Sequence, residues 1–320
     1  MESLSALPLL VCAVNREAID IASFELARLD GGQLPAVEPG AHVDVHISPQ
    51  MVRQYSICDS ARADGRYVIA VKREPVSRGG SSFMHANVHV GDTLLVGHPR
   101  NKFPLSGGAS RHVLVAGGIG ITPLISMARH LASRGDQFHL HYFARSREHA
   151  AFVDDLSAPN LRGDVTFHFG CSPSETTEQA RAIASARDAG DHLYVCGPGP
   201  FMDLVCTCAN SWPDGSVHVE YFAGATVPAG DTQSFEVEIA STGQVLQVPP
   251  ERTLVDVLHE SGLDVPVSCT QGFCGTCITR VLDGVPDHND LCLSDDDKAA
   301  NNCMTPCVSR SKSPRLVLDL

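Results

Sequence analysis

The sequence lacks any apolar stretch able to cross a membrane as a helix. Its longest uncharged apolar run, His112–Ala128, is interrupted by Gly117, Gly118, Gly120 and Pro123. It is shorter than the roughly 20 residues a spanning helix needs. Met1–Leu10 has no basic n-region of the kind a secretory signal carries. Basic charge is scarce: 24 Lys+Arg face 37 Asp+Glu, a net charge of −13. That balance argues against nucleic acid or an anionic membrane surface as partner. No internal repeat is present, and none of the 15 histidines sits in a zincin or catalytic-triad neighbourhood. These absences lead to the expectation of a globular, cytoplasmic protein. Its 12 cysteines are then thiols or metal ligands rather than a disulfide framework.

What is present changes character along the 320 residues. Up to about Leu105, short apolar runs (His42–Ile47, Gln54–Cys58, Tyr67–Lys72, Thr93–Val96) alternate with Gly, Pro and Asp turns, as in an antiparallel barrel or sandwich. From His112 the pattern becomes buried strand followed by helix. Strands are expected at His112–Ala116, His139–Ala144, Val165–Phe169 and His192–Cys196, with helices near Pro123–Arg134 and Phe201–Ala209. That is the pattern of a parallel α/β sheet. Ala223–Gln233 has linker composition. After it come a hairpin around Ser241–Gln244 and a helix over Thr253–Ser261 with Thr253 as N-cap. The expected division is 1–106, 107–226 and 227–320. From Gly230 onward 14 acidic residues face 6 basic ones, which serves either solubility or docking.

The most specific pattern is Cys269-x4-Cys274-x2-Cys277, with Cys307 after 29 intervening residues. This is the plant-type [2Fe–2S] ligand spacing. Gly272 and Gly275 leave room for backbone N–H groups to face cluster sulfurs. A structural zinc site also needs four thiolates, but it usually pairs two C-x2-C units. Cys292 and Cys303 lie nearby, and Cys303 could compete with Cys307. Cys12, Cys58, Cys171, Cys196, Cys206 and Cys208 read as small buried hydrophobes.

Arg53-Gln54-Tyr55-Ser56 lies on an expected barrel strand with Arg53 and Tyr55 on one face and Ser56 on the other. Such a set can bind a phosphate, cover a flat ring and hydrogen-bond its edge, or be ordinary strand chemistry. Val71-Lys72-Arg73 and Arg78-Gly79-Gly80-Ser81-Ser82 add basic charge and a glycine–serine entry to a helix, the make-up of an anion site or of a solvent loop. A second glycine turn, Gly117-Gly118-Ile119-Gly120-Ile121-Thr122-Pro123, follows a buried strand, with Thr122 expected as N-cap. It is not G-x-G-x-x-G. A third, Cys196-Gly197-Pro198-Gly199-Pro200, ends another strand at the sheet edge where cofactors bind.

Together these residues resemble the phthalate dioxygenase reductase family, which includes the vanillate O-demethylase reductases. The resemblance runs from Arg53 to Leu320. It rests on RQYS (53–56), VKREPVSRGGSS (71–82), VAGGIGITPL (115–124), YVCGPGPFMD (194–203), HVEYFAGA (218–225), SCTQGFCGTC (268–277), DHND (287–290) and PCVSR (306–310). It implies a multidomain chain: an antiparallel β-barrel flavin domain, an α/β parallel-sheet nucleotide domain and an α+β plant-type ferredoxin domain. It also implies that Arg53, Tyr55, Ser56, Val71, Lys72, Gly80, Ser81 and Ser82 hold FMN. By the same resemblance Thr122 stands by the flavin N5 edge, and Phe222 stacks where nicotinamide enters. Gly117, Gly118, Gly120, Cys196, Gly197 and Pro198 line the nicotinamide site, and Cys269, Cys274, Cys277 and Cys307 hold the cluster. FMN rather than FAD follows because the family lacks adenine-binding elements. NADH is favoured likewise, although Arg145-Ser146-Arg147 contains groups that could accept a 2′-phosphate.

The implied path is hydride from NADH to FMN, then single electrons to the cluster, with no residue acting as nucleophile. The implied acceptor is a Rieske-type terminal oxygenase, docked on the acidic cluster domain of a monomeric reductase. Two other readings remain. One is a reductase serving another acceptor, such as a haem monooxygenase, or acting alone as an NADH oxidase. The other is a non-enzymatic iron–sulfur redox sensor, which the absence of flavin absorbance would reveal.

Overall fold

The computed structural model describes residues 6–48, 51–59, 64–75, 79–159, 161, 165–222, 233–267, 272 and 275–320. The chain forms two compact units, Met1–Phe222 and Ala223–Leu320. Most of the linker-like stretch Ala223–Gln233 lies outside the described residues, as do Arg78, Cys269 and Cys274.

The first unit opens with β1 (Leu7–Ala18), β2 (Ile21–Arg28), β3 (Ala41–Ser48), β4 (Met51–Ser56), β5 (Tyr67–Lys72), α1 (Gly80–Asn87), β6 (Thr93–Val96) and β7 (Arg100–Asn101). The strands pair in the order β4-β3-β6-β1-β2-β5, with β7 beside β3. An antiparallel bridge between Ile57 and Ile69 joins the two ends, making a closed barrel. Alternation drives it: Leu9, Val11, Phe24, Leu26, Val43, Val45 and Ile69 point inward and are buried together. Each side chain of this size contributes about 1.5–3 kcal/mol on burial.

The second half of the unit comprises β8 (Arg111–Gly117), α2 (Ile121–Arg134), β9 (Phe138–Ala144), α3 (Val153–Leu156), β10 (Val165–Phe169), α4 (Pro173–Ser185), β11 (Asp191–Cys196), α5 (Gly199–Cys208) and β12 (Val217–Glu220). Five parallel strands lie in the order β10-β9-β8-β11-β12. β8 is buried along nearly its whole length, as a strand covered on both faces must be. Strand order reverses at β8, so a crevice opens beyond the C-terminal ends of β8 and β11. Both ends carry the glycine turns.

Two local expectations are corrected. Thr122 is not the cap of α2: Gly120 holds that place, and Thr122 Oγ1 donates to the Ile119 carbonyl at 3.1 Å instead. A 3-10 turn over Gly118–Gly120 starts the helical path early and draws Thr122 inside the first turn of α2. Cys12, Cys171, Cys206 and Cys208 are only half-buried, whereas Cys58 and Cys196 are buried. α4 went unread in the sequence because it is mostly polar. Ser172 and Glu175 cap it reciprocally, with Pro173 in its first turn.

The second unit has β13 (Phe235–Ile239), β14 (Val245–Val248), α6 (Leu254–Glu260), β15 (Thr279–Asp283), β16 (Pro286–Asp287), α7 (Asp295–Ala300), β17 (Cys303–Met304), β18 (Arg310–Ser311) and β19 (Arg315–Leu318). A mixed sheet, β14-β13-β19-β15-β17, packs with α6 around Val237, Ile239, Leu254, Leu258, Leu316 and Leu318. Thr253 caps α6, accepting from Asp256 N at 3.2 Å. Asp295–Asp297 form the first turn of α7, where a capping box with Ser294 and the helix dipole favour acids. No helix among the described residues is long and apolar enough to cross a membrane.

Candidate functional site

Arg53, Tyr55 and Ser56 lie on β4. Arg53 lies over the start of α1, where a Cβ on Gly80 would be 2.7 Å from its Nε. Gly79 precedes the helix at φ 88°, a left-handed conformation that suits glycine. The Arg53 side chain thus runs alongside the first residue of α1. The two sources of positive potential coincide, and together they fit a flavin phosphate. Ser81 Oγ also accepts from Glu74 N at 3.2 Å, tying the end of β5 to the helix. Val71 is buried and its carbonyl is 2.8 Å from His85 Nε2. Lys72 is exposed, and its ammonium pairs with Glu74 at 2.7 Å.

At the crevice the two glycine turns interlock. A Cβ on Gly197 would lie 3.0 Å from Gly117 Cα, and one on Gly117 would lie 2.8 Å from the Phe201 ring and 3.1 Å from Pro198 Cδ. A Cβ on Gly120 would strike the backbone of Cys196 and Gly197. Gly118, at φ +55°, faces open space. Thr122 and Cys196 are both buried, and burial holds the Cys196 thiol well above its usual range. Phe222 follows β12 and packs half-buried against the core shared by the two halves of the unit. Arg145 is exposed just after β9.

One residue to which the sequence assigned no role stands among these. Glu220 ends β12 directly opposite Cys196 and is hydrogen-bonded to Ser56 of the barrel. Burial raises its carboxyl to about pKa 8. Its Oε2 is buried and has no hydrogen-bond partner among the described residues. A buried carboxyl with one oxygen left over, at the end of the strand beside Cys196, is a candidate ligand contact.

In the second unit Cys277 Sγ and Cys307 Sγ converge to 3.2 Å, both buried. That is far beyond the roughly 2.05 Å of a disulfide and suits two thiolates sharing a metal. Gly272 and Gly275 are left-handed, at φ 79° and 70°. A Cβ on Gly272 would lie 2.6 Å from Val308 and 3.1 Å from Asp290 Cα. Asp290 braces this loop. Its side chain, fully out of solvent, accepts from Leu293 N at 2.9 Å and approaches His288 Nδ1 at 3.5 Å. Leu291 N donates to the Gly272 carbonyl at 2.8 Å. Cys292 and Cys303 are half-buried, with Cys292 Sγ 3.8 Å from Asp290 Oδ2.

Residues 237–312 match the 2Fe-2S iron-sulfur cluster binding domain, and residues 114–207 match the oxidoreductase NAD-binding domain. A vanillate O-demethylase oxidoreductase from Pseudomonas sp. strain HR199 is 51% identical over 313 residues, 97% of this chain and 99% of that protein. A phthalate dioxygenase reductase structure, described as modular for electron transfer from pyridine nucleotides to [2Fe–2S], superposes with a TM-score of 0.81 at 39% identity, covering 98% of both chains. The chain belongs to the phthalate dioxygenase reductase family. Its fold is the family's three-part fold: an antiparallel flavin-binding sheet, a parallel NAD-binding sheet and a plant-type ferredoxin domain. As a member of that family it is an NADH-dependent oxidoreductase, the reductase component of a Rieske oxygenase system, carrying electrons through flavin to a [2Fe–2S] cluster. An intact self-sufficient cytochrome P450 monooxygenase also aligns, at a TM-score of 0.78 and 33% identity over 98% of this chain and 41% of that one.

Proposed function

We propose that this reductase uses FMN, held by Arg53, Tyr55, Ser56, Val71, Lys72 and the Gly80–Ser82 turn, and that NADH meets it among Thr122, Cys196 and Phe222. The observation that carries this is the Glu220–Ser56 hydrogen bond, which ties the end of β12 to the end of β4 beside the interlocked glycine turns. Gly117, Gly118, Gly120, Gly197 and Pro198 line the nicotinamide pocket, and Arg145 contacts the coenzyme from the end of β9. Cys269, Cys274, Cys277 and Cys307 are the cluster ligands. The division of labour follows 1–106, 107–226 and 227–320.

The flavin, when bound, converts a two-electron hydride donor into a one-electron supply. The protein's own residues position and exclude. Arg53 and the α1 N-terminus fix the phosphate, while Ser56 and Glu220 present a hydroxyl and an acidic proton at the crevice. Buried Thr122 and Cys196 keep water from its floor. Gly118, without a Cβ, lets the dinucleotide approach backbone. Lys72 acts through its backbone, since its ammonium is taken by Glu74.

The acceptor in this reading is a Rieske-type terminal oxygenase in the cytoplasm, met by a monomeric reductase. One that demethylates an aromatic methyl ether such as vanillate is the first to test, given the 51% relative. The similarity to the P450 monooxygenase supports a second reading, with haem iron as acceptor. Anaerobic NADH should bleach flavin and cluster absorbance in sequence. Formaldehyde release from vanillate on mixing with the demethylase oxygenase then separates the acceptors, because a haem monooxygenase coupled only to its own substrate would oxidise that substrate instead. Docking through the acidic final third should weaken as salt rises past ~0.1 M, where the screening length is about 10 Å.

A further inference from the structure

The two halves of the first unit meet over apolar surface. Cys58, Val68 and Ala70 of the barrel half are buried in one core with Leu124, Ile125 and Ala128 of α2. Apolar burial is non-directional, so it holds two surfaces together without fixing how one slides over the other. Directed polar bonds across the contact set that position.

One side chain on α2 gathers such bonds. Arg129 donates from Nη1 to the Cys58 carbonyl at 3.1 Å and to Asp59 Oδ2 at 3.3 Å. Its Nη2 donates to Asp155 Oδ2 at 2.6 Å, in α3. The Arg129 and Asp59 side chains are only 20% and 18% exposed, so solvent screens their attraction little. Both anchor points lead to the site. Cys58 follows Ser56 by two residues. It is fixed in the barrel by its N–H to the Val68 carbonyl at 2.7 Å and by the neighbouring Ile57–Ile69 bridge. Thr122 stands seven residues before Arg129 on the same face of α2, two turns or about 10 Å along the axis. The backbone bond from Ile19 N to the Glu148 carbonyl, 2.7 Å, also crosses between the halves but joins neither β4 nor α2.

We propose that Arg129 is a positioning residue for hydride transfer. It holds the end of flavin strand β4 in place against α2, whose first turn carries Thr122, and so sets the distance between flavin and nicotinamide. The effect runs through β4 and α2 rather than through contact with either coenzyme. A guanidinium suits the task because its planar fork reaches a carbonyl and two carboxylates at once, which a single ammonium does not. This inference rests on reading β4 as the flavin strand and the β8–β11 crevice as the nicotinamide site.

The test uses full-length holoprotein and reads the limiting rate of flavin bleaching at saturating NADH, per bound flavin. In Arg129→Ala that rate should fall roughly tenfold, less than the hundredfold that a misplacement of about 1 Å can cost. The NADH concentration giving half the limiting rate should change less than about twofold. Arg129→Lys should recover part of the rate. Asp59→Asn should slow it about threefold and add nothing further to Arg129→Ala, as expected of two groups acting through one contact. Arg134→Ala breaks an exposed pair with Asp136 on the same helix and should keep the parental rate. A purely structural role would lower melting temperature and flavin content while leaving the rate per bound flavin at the parental value. That result in Arg129→Ala would overturn the inference and leave the crevice reading standing. Should Arg129→Ala fail to fold, Arg129→Lys and Asp59→Asn decide, and parental rates in both overturn it. Failure of NADH to reduce the flavin of the unaltered protein would overturn the crevice reading as well.

Discussion

Glu220, at the last position of the parallel sheet, is hydrogen-bonded to Ser56, at the last position of a barrel strand, so a carboxyl and a hydroxyl link the two halves of the first unit. Its pKa of about 8 means the carboxyl is neutral at pH 7.

Glu220→Gln mimics that neutral acid. Stopped-flow flavin reduction at pH 7 should change by less than about threefold. The limb near pH 8 in the unaltered protein should disappear from its pH profile. The linkage sign follows from the raised pKa. Between the unfolded value of 4.5 and about 8 the folded state holds a proton that the unfolded state has lost, so stability falls as pH rises through that window. The glutamine variant should therefore melt higher than the parent at pH 8, as calorimetry would show.

Cys277→Ser should abolish the cluster's visible absorbance and its acid-labile sulfide. NADH-dependent bleaching of flavin should persist, because Met1–Phe222 is a compact unit of its own. Loss of flavin along with the cluster would refute that independence.

Asp290→Ala removes a buried carboxylate, strands Leu293 N, now 2.9 Å from it, and takes the 3.4 Å contact from Ser309 Oγ, which keeps Thr305 Oγ1 at 3.0 Å. The expected cost is about 2–3 kcal/mol for the ferredoxin unit. Iron loss to a chelator, followed by absorbance, should accelerate, while Asp290→Asn should recover part of the lifetime.

Acid should weaken the first unit. Burial depresses His42 to about 4 and His141 to about 3, and it lowers His112, His168 and His218 as well. Groups with depressed folded pKa values stay neutral in the fold while the unfolded chain takes up protons. Their contribution is full above about 6.5 and is lost as pH falls toward 4. His141, 3.2 Å from His168 and stacked on His139, is the centre of this cluster. Replacing it with phenylalanine should flatten the fall in melting temperature between pH 7 and 5.

The glycine turns, the closed barrel and the ferredoxin domain were legible because each writes itself locally: a residue that alone tolerates a backbone angle, an alternation, a cysteine spacing. Thr253 as cap of α6 was legible for the same reason. Glu220 was not. It lay in a quoted motif with no role, because its partner Ser56 belongs to a different sheet and only tertiary packing brings them together. Asp290 acts on Gly272 and Leu293 in the same non-local way. Thr122 misled because a 3-10 turn ahead of α2 shifted the helix start, and propensity does not encode that shift. α4 escaped because its buried face is only Ala180, Ile183 and Ala184.

The contact between Gly117 and Gly197 has a consequence for descent. Two positions far apart in the chain crowd one small volume: a carbon added to Gly197 would press on the Gly117 backbone at 3.0 Å, and one added to Gly117 would meet the Phe201 ring at 2.8 Å. A side chain at either position therefore requires its neighbours to move. Changes around the coenzyme therefore cost less in the loops beside the turns than at the pair itself.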